Sequence, residues 1–305
     1  MKKENHIPYL KTISDFYTKL RIGTPQGNDF SIMRIEDQPP SKILEMPLFR
    51  CNFFRIVFIN NTGVNWQLPD QQFESTEDCI YFAYPGKLES WITSNKIFGY
   101  LVCFTESFLA SQHFSVQDYP FFSFGTSHLL TLTKVEAERL THQQEELIAE
   151  INSNREDTKE MLAVLLSRYL IELRRLFTAL HMSLPKKKKN DQAIFERFTL
   201  ELDQYFAELS EEKSFSQPNV SLIADKLSLT ASYLNSVLKN VSGKTASKLI
   251  QEKTILEAKS YLMHTNLQVS EIAYRLGFTN APYFNKFFKK WTSMSPSAFK
   301  NMKVS

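Results

Sequence analysis

Between residues 30 and 105 the hydrophobic positions alternate. In NFFRIVFIN (52–60), Phe54, Ile56 and Phe58 fall on one face of an extended chain, and Phe53, Arg55, Val57 and Ile59 on the other. That two-residue period is the signature of a strand. CIYFAY (79–84) runs into the turn pair Pro85-Gly86, and LESWIT (88–93) and IFGYLVCFT (97–105) follow. The breaks at Asn60-Asn61-Thr62-Gly63 and at Pro85-Gly86 space these runs as an antiparallel sandwich or small barrel would. Their aromatic and β-branched residues suit a pleated, half-buried surface.

The period then lengthens. VEAERLTHQQEELIAEI (135–151) is amphipathic at helical spacing, and a second helix is predicted over 158–180. In that helix Leu162, Leu166, Tyr169, Leu173, Leu176 and Leu180 recur four and three apart, flanked by Arg168, Arg174 and Arg175. This is the spacing of a coiled-coil seam, so a homodimer through 158–180 is expected; the alternative is a stripe packed on its own domain. SLPKKKKND (183–191) then has nothing apolar to bury and a helix-stopping Pro185, and predicts an exposed linker. Its Lys186 to Lys189 can also serve as phosphate contacts. IFERFTLELDQYFAEL (194–209) returns to helical spacing, and short helices follow to the end.

One pattern occurs twice. SLIADKLSLTASYLNSVLKN (221–240) and SEIAYRLGFTNAPYFNKFFKK (270–290) match at Ile223/Ile272, Ala224/Ala273, Leu227/Leu276 and Thr230/Thr279, each 49 apart. Tyr233/Tyr283 and Lys239/Lys289 then match 50 apart, which puts one extra residue in the second turn. Each copy has the logic of a helix-turn-helix. In the second, Gly277 ends the first helix in a conformation that side chains resist, Phe278 plugs the corner, Asn280 is an N-cap, and Pro282 sits in the first turn. Phe284, Phe287 and Phe288 are expected inside, leaving Tyr283, Lys286 and Lys290 outward. The intervening TASKLIQEKTILEAKSYLMHT (245–265) predicts one amphipathic helix about 30 Å long. Successive major grooves on one side of B-DNA lie roughly 34 Å apart, so two second helices so spaced suit adjacent grooves.

Charge sharpens this. Net charge is only +3, yet residues 217–305 hold twelve Lys/Arg against four Asp/Glu. A cationic third on a mildly acidic body points to a polyanion partner or to a plain basic surface. No run of eighteen apolar residues occurs, and MKKENHIPYLKTISDFY lacks the apolar stretch of a signal peptide, so no membrane partner and a cytoplasmic location are expected. Cys51, Cys79 and Cys103 lack CxxC spacing and are expected reduced in the core, with no metal bound.

Over about 194–300 the chain strongly resembles the AraC/XylS family of bacterial transcription regulators. The resemblance rests on ASYLNSVLKNVSGKT, KTILEAKSYL and SEIAYRLGFTNAPYFNKFFKKWTSMSPSAFK. Lys253 and Lys300 stand where arginine is usual, Phe299 where tyrosine is, and Ser293 where glycine is. The resemblance implies double-stranded promoter DNA as partner, contact with RNA polymerase, and activation, though repression is equally compatible physically. It places base reading at Ser232, Asn235 and Ser236 in the first unit, and at Ala281, Pro282, Tyr283 and Lys286 in the second. Asn235 then offers a bidentate amide to adenine, and Lys239 and Lys290 contact phosphate.

The N-terminal half is more loosely similar to the cupin-like sensors of that family, through TEDCIYFAYPGKLESWITSNKIFGYLVCFTESFL. Leu88, Glu89 and Ser90 follow the turn where such sensors often carry histidine, and the six histidines are scattered, so neither a metal triad nor cupin catalysis is expected. No Ser or Cys nucleophile with a paired base is apparent either, and no enzyme is expected. A small-molecule effector pocket is implied, with Trp91 matching a lining position and Arg55 and Trp66 as further candidates; the tryptophans read more readily as core of the β domain. The expected molecule is multidomain, β then α. A cupin-like β-barrel with following helices (1–182) senses and dimerises, 183–191 links, and an all-α double helix-turn-helix domain (192–305) carries the units 221–240 and 270–290. The rival readings are a cupin enzyme with DNA-binding helices and a sequence-neutral architectural DNA protein.

Overall fold

The computed structural model describes residues 7–38, 45–60, 64–67, 72–75, 77–92, 97–110, 118–122, 128–180, 189–210 and 216–301. Its N-terminal half is built on strand β4 (Phe54–Asn60), the middle of a five-stranded sheet. β7 (Cys79–Ala83) and β9 (Phe98–Phe104) flank β4 antiparallel, and β10 (Leu129–Thr131) and β2 (Phe30–Arg34) form the edges. β1 (Tyr9–Leu10), β3 (Glu45–Cys51) and β8 (Glu89–Ile92) make a second sheet in the order β1-β3-β8, and β5 (Val64–Gln67) pairs with β6 (Gln72–Ser75). Among the described residues β10 and β2 do not pair with each other, so the expected barrel is corrected to open, packed sheets.

The alternation of β4 decides what each face meets. Phe54, Ile56 and Phe58 share a core with α2 (Glu106–Ala110), α3 (Lys134–Ser153) and α4 (Thr158–Leu180), through Phe108, Leu140, Leu147, Leu166 and Leu173. Val57 and Ile59 face the other way, in a core shared with Tyr81 and Ala83. Beneath the three-stranded sheet, α1 (Ile13–Leu20) contributes Ile13, Phe16 and Tyr17 to a cluster with Phe49 and Phe53. All three cysteines are buried and free.

The stripe on α4 is therefore consumed at home. Leu162, Leu166, Tyr169 and Leu173 are buried against their own domain, and Leu176 packs on the same core. Only Leu180 of that stripe stands open, so the expectation of a dimer seam along it is corrected. Heptad spacing reports a helix with one apolar stripe, and here the partner is intramolecular. The outward face instead carries Met161, Val164, Arg168 and Arg175.

The C-terminal half is all helix: α5 (Lys189–Ser210), α6 (Val220–Lys226), α7 (Ala231–Ser242), α8 (Ala246–His264), α9 (Val269–Arg275), α10 (Ala281–Thr292) and α11 (Pro296–Asn301). α5 starts inside the expected linker; Lys186 to Lys188 lie outside the described residues. Phe198, Leu202, Leu234, Leu238, Leu249, Tyr261, Phe284 and Phe288 belong to one core, which Ile7, Leu48 and Leu88 of the β half also enter. No described helix is long and apolar enough to cross a membrane.

Four buried charges sit where the halves meet. Arg50 on β3 donates one guanidinium N–H to the Gly86 carbonyl at 2.5 Å and another to Glu257 on α8. Lys253, one turn before Glu257, lies 3.2 Å from it and pairs with Asp203 on α5. None of the four is more than 2% exposed. Burial opposes the charge on Arg50, but Glu257 and its neighbours more than offset that and raise its pKa. Burial, then Asp203, also holds the Tyr84 hydroxyl well above its ordinary range.

Candidate nucleic-acid interface

The two repeated units fold alike down to their backbone bonds. In the first, Leu227 N–H donates to the Ile223 carbonyl at 3.1 Å and Leu229 N–H to the Ala224 carbonyl at 2.9 Å. In the second, Leu276 donates to Ile272 at 3.0 Å and Phe278 to Ala273 at 2.9 Å. These bonds close the end of α6 and of α9 on a residue in the left-handed region, Ser228 (φ 58°) and Gly277 (φ 77°). Gly277 is needed for space as well. A Cβ there would lie 2.5 Å from the Ser216 carbonyl carbon and 2.6 Å from the Gln217 nitrogen.

Each second helix is then capped from outside. Thr230 accepts from Tyr233 N–H at 3.2 Å, and Asn280 accepts from Tyr283 N–H at 2.8 Å. The caps lie 50 apart and the preceding turns 49, so the expected match of Thr230 with Thr279 is corrected: Thr230 corresponds to Asn280, and Thr279 is the extra residue. Phe278, Phe284 and Phe288 are buried and Phe287 half-buried, with the Phe278 and Phe284 ring centroids 5.1 Å apart. The rings pack the turn and leave the opposite face of α10 to polar groups.

On that face Pro282, Tyr283, Lys286 and Lys290 are exposed, as expected, and Ala281 is half-buried. Asn285 and Lys289 are exposed beside them, two residues outside the expected set of DNA contacts. On α7, Ser232, Ser236 and Lys239 are exposed, joined by Tyr233. The helical wheel held the signal for all three additions, since each lies three or four positions from an assigned residue.

Asn235 behaves differently. It is half-buried, and its Oδ1 accepts from Ala246 N–H, the first residue of α8, at 3.0 Å. A bidentate amide contact to adenine needs oxygen and nitrogen together. The expectation for Asn235 is corrected: its oxygen belongs to the fold, joining α7 to the spacer helix.

Several basic residues are also spoken for. Lys226 lies 2.6 Å from Glu201 and 3.6 Å from Glu208, Lys244 lies 2.8 Å from Glu252, Lys300 donates to the Leu267 carbonyl at 2.5 Å, and Lys253 is buried. Lys239, Lys286, Lys289 and Lys290 are the cations left open on the two second helices.

The candidate effector residues meet protein rather than space. Arg55 pairs with Glu89, which also accepts from the Tyr81 hydroxyl at 2.6 Å. The Arg55 guanidinium sits 4.8 Å from the Phe16 ring centroid and 5.0 Å from that of Phe49. Trp91 is half-buried with its ring 5.1 Å from Phe49. The side chain of Trp66 lies outside the described residues. A separate cleft of about 370 Å³ opens between the halves, walled by Tyr9, Lys11, Asn52, Glu106, Leu200 and Gln204 among others.

A helix-turn-helix domain model matches residues 223–302. The chain is 33% identical over 92 residues to the bifunctional transcriptional activator/DNA repair enzyme AdaA of Bacillus subtilis, covering 30% of this chain and 44% of that one. It is 27% identical over 154 residues to the transcriptional activator RhaS of an Enterobacter species, covering 50% and 52%. The chain thus spans about half the length of the curated relatives it matches. Among solved structures, ToxT of Vibrio cholerae aligns over 91% of this chain and 99% of its own at 12% identity, with a TM-score of 0.37. With two equivalent helix-turn-helix units joined by one spacer helix, residues 223–302 form a helix-turn-helix domain similar to those of AraC/XylS-family regulators.

Proposed function

We propose that the chain is a sequence-specific DNA-binding transcription regulator that acts as an activator and contacts RNA polymerase. The observation that carries this is the pair of matched second helices, α7 and α10. Their inner faces are spent on one core, and their outer faces keep Ser232, Ser236, Pro282, Tyr283 and Lys286 for base edges and Lys239 and Lys290 for phosphate. Residues 192–305 are the DNA-binding domain and 1–182 the regulatory one. The regulatory half takes a small-molecule effector, a reading supported by the cleft whose walls come from both halves. It also pairs with a second copy. That reading moves to the outward face of α4, at Met161, Val164 and Arg168, because the inward face is used.

The test is selection of duplexes from a random library by the full chain, followed by affinity and salt titration on the selected site. A specific site should bind at least about 10³-fold tighter than its scrambled counterpart. Equal binding with one salt slope would mean an architectural protein and would reject the proposal.

A further inference from the structure

The duplication provides an internal comparison that bears on which head reads adenine. Asn235 and Asn285 occupy equivalent places, fifth in α7 and fifth in α10. In the first unit the amide is bound by the N–H of Ala246, which opens the next helix. The equivalent of Ala246, 50 residues on, is Pro296, which opens α11. Proline has no N–H to give. Among the described residues the Asn285 side chain accordingly makes no hydrogen bond and stands exposed, while Asn235 is half-buried. It lies between Pro282 and Lys289 on a stripe, Pro282-Asn285-Lys286-Lys289, in which every member is exposed. Spacing of three and four places these on one side of the helix. The stripe runs from an apolar group through an amide and an ammonium to a second ammonium.

We propose that Asn285 is a specificity-determining residue of the second unit, reading one adenine through both atoms of its amide, and that Pro296 keeps it available. This rests on the DNA-binding reading above. Of the two equivalent asparagines, only the one followed by proline has oxygen and nitrogen free for the adenine N6 and N7 edge. The two heads then differ in kind. The first presents small hydroxyls, and the second carries the amide.

Selection from a random duplex library by the full chain, repeated with Asn285→Ala and with Pro296→Ala, tests this. The parent should enrich a site containing an adenine that Asn285→Ala no longer prefers, with about tenfold or greater loss on that site and little on a site changed at that base pair. Pro296→Ala restores an N–H beside the amide and should relax the same position, with folding checked by its unfolding midpoint. If the parent enriches a site and Asn285→Ala selects the same one, the proposal is overturned. A uniform loss across all sequences overturns it too, since that marks a backbone contact. If the parent enriches nothing, the underlying DNA reading falls and this inference with it.

Discussion

Replacing Glu257 by Gln tests whether the buried charges hold the two halves together. Gln keeps the shape and can still receive a hydrogen bond, so the change is almost purely one of charge. Arg50, Lys253, Asp203 and Glu257 sum to zero, and the substitution leaves a net positive charge in a cluster at most 2% exposed. Lys253 retains Asp203; Arg50 keeps the Gly86 carbonyl and a neutral amide oxygen but loses its carboxylate partner, and a guanidinium cannot shed its proton. Stranding one member of a buried pair costs about 3–5 kcal/mol. With a urea slope of about 1–3 kcal/mol per molar, the midpoint should fall by at least about 1 M. The informative companion is Arg50→Met with Glu257→Gln, which removes both and leaves Lys253 with Asp203. That double variant should be more stable than Glu257→Gln alone, because no unpaired charge remains buried. Urea unfolding followed by tryptophan fluorescence reads the outcome. If Glu257→Gln lies within about 0.5 kcal/mol of the parent, or the double variant is the weaker, the charges are not coupled as drawn.

Three further outcomes follow from the packing. Leu173→Glu places a carboxylate in the fully buried core between α4 and the five-stranded sheet, and should cost more than about 4 kcal/mol, visible as lost cooperative unfolding of the β half. A folded monomer instead would restore the dimer seam. Gly277→Ala forces a side chain into the left-handed region, about 1–2 kcal/mol by itself, and onto the Ser216 backbone, so the melting temperature should drop clearly; an unchanged one would contradict the close approach. His128, under Tyr84 and bonded at Nδ1 to the Phe121 carbonyl at 3.1 Å, has its pKa pushed well below the ordinary value by burial and then by Lys87. Its folded pKa lies below its unfolded one, so stability should be lost as pH falls below about 6.5. His128→Gln should flatten that slope between pH 7 and 5, and an identical slope would assign it to other groups.

Much of this could be seen in the residues alone, for reasons that differ by region. The helix-turn-helix units were legible because their determinants are local: a turn residue, a cap and an apolar face within twenty positions. α4 was legible as a helix, with the bounds expected. What its stripe touches was not, because spacing is silent about whether the partner is another chain. Asn235 looked like a reader because its type suits adenine, and only the third dimension brings Ala246 N–H to it. Arg50 and Glu257 are 207 positions apart, so nothing local could pair them. Lys253, noticeable beforehand only as a departure from the family's arginine, proves to be a member of that cluster.

The crowding at Gly277 also bears on how separable the duplicated units are. The missing side chain makes room for Ser216 and Gln217, which lie just ahead of α6, so the corner of the second unit is moulded on the doorway to the first. Sequence duplication suggests modules that can be exchanged or shed. Here the later copy has lost that independence: cut away from its predecessor, it would keep its helices' pattern but lose one wall of its hinge. A transplant of residues 270–290 into another scaffold must therefore carry the 216–217 segment with it, as a mortise carries its tenon.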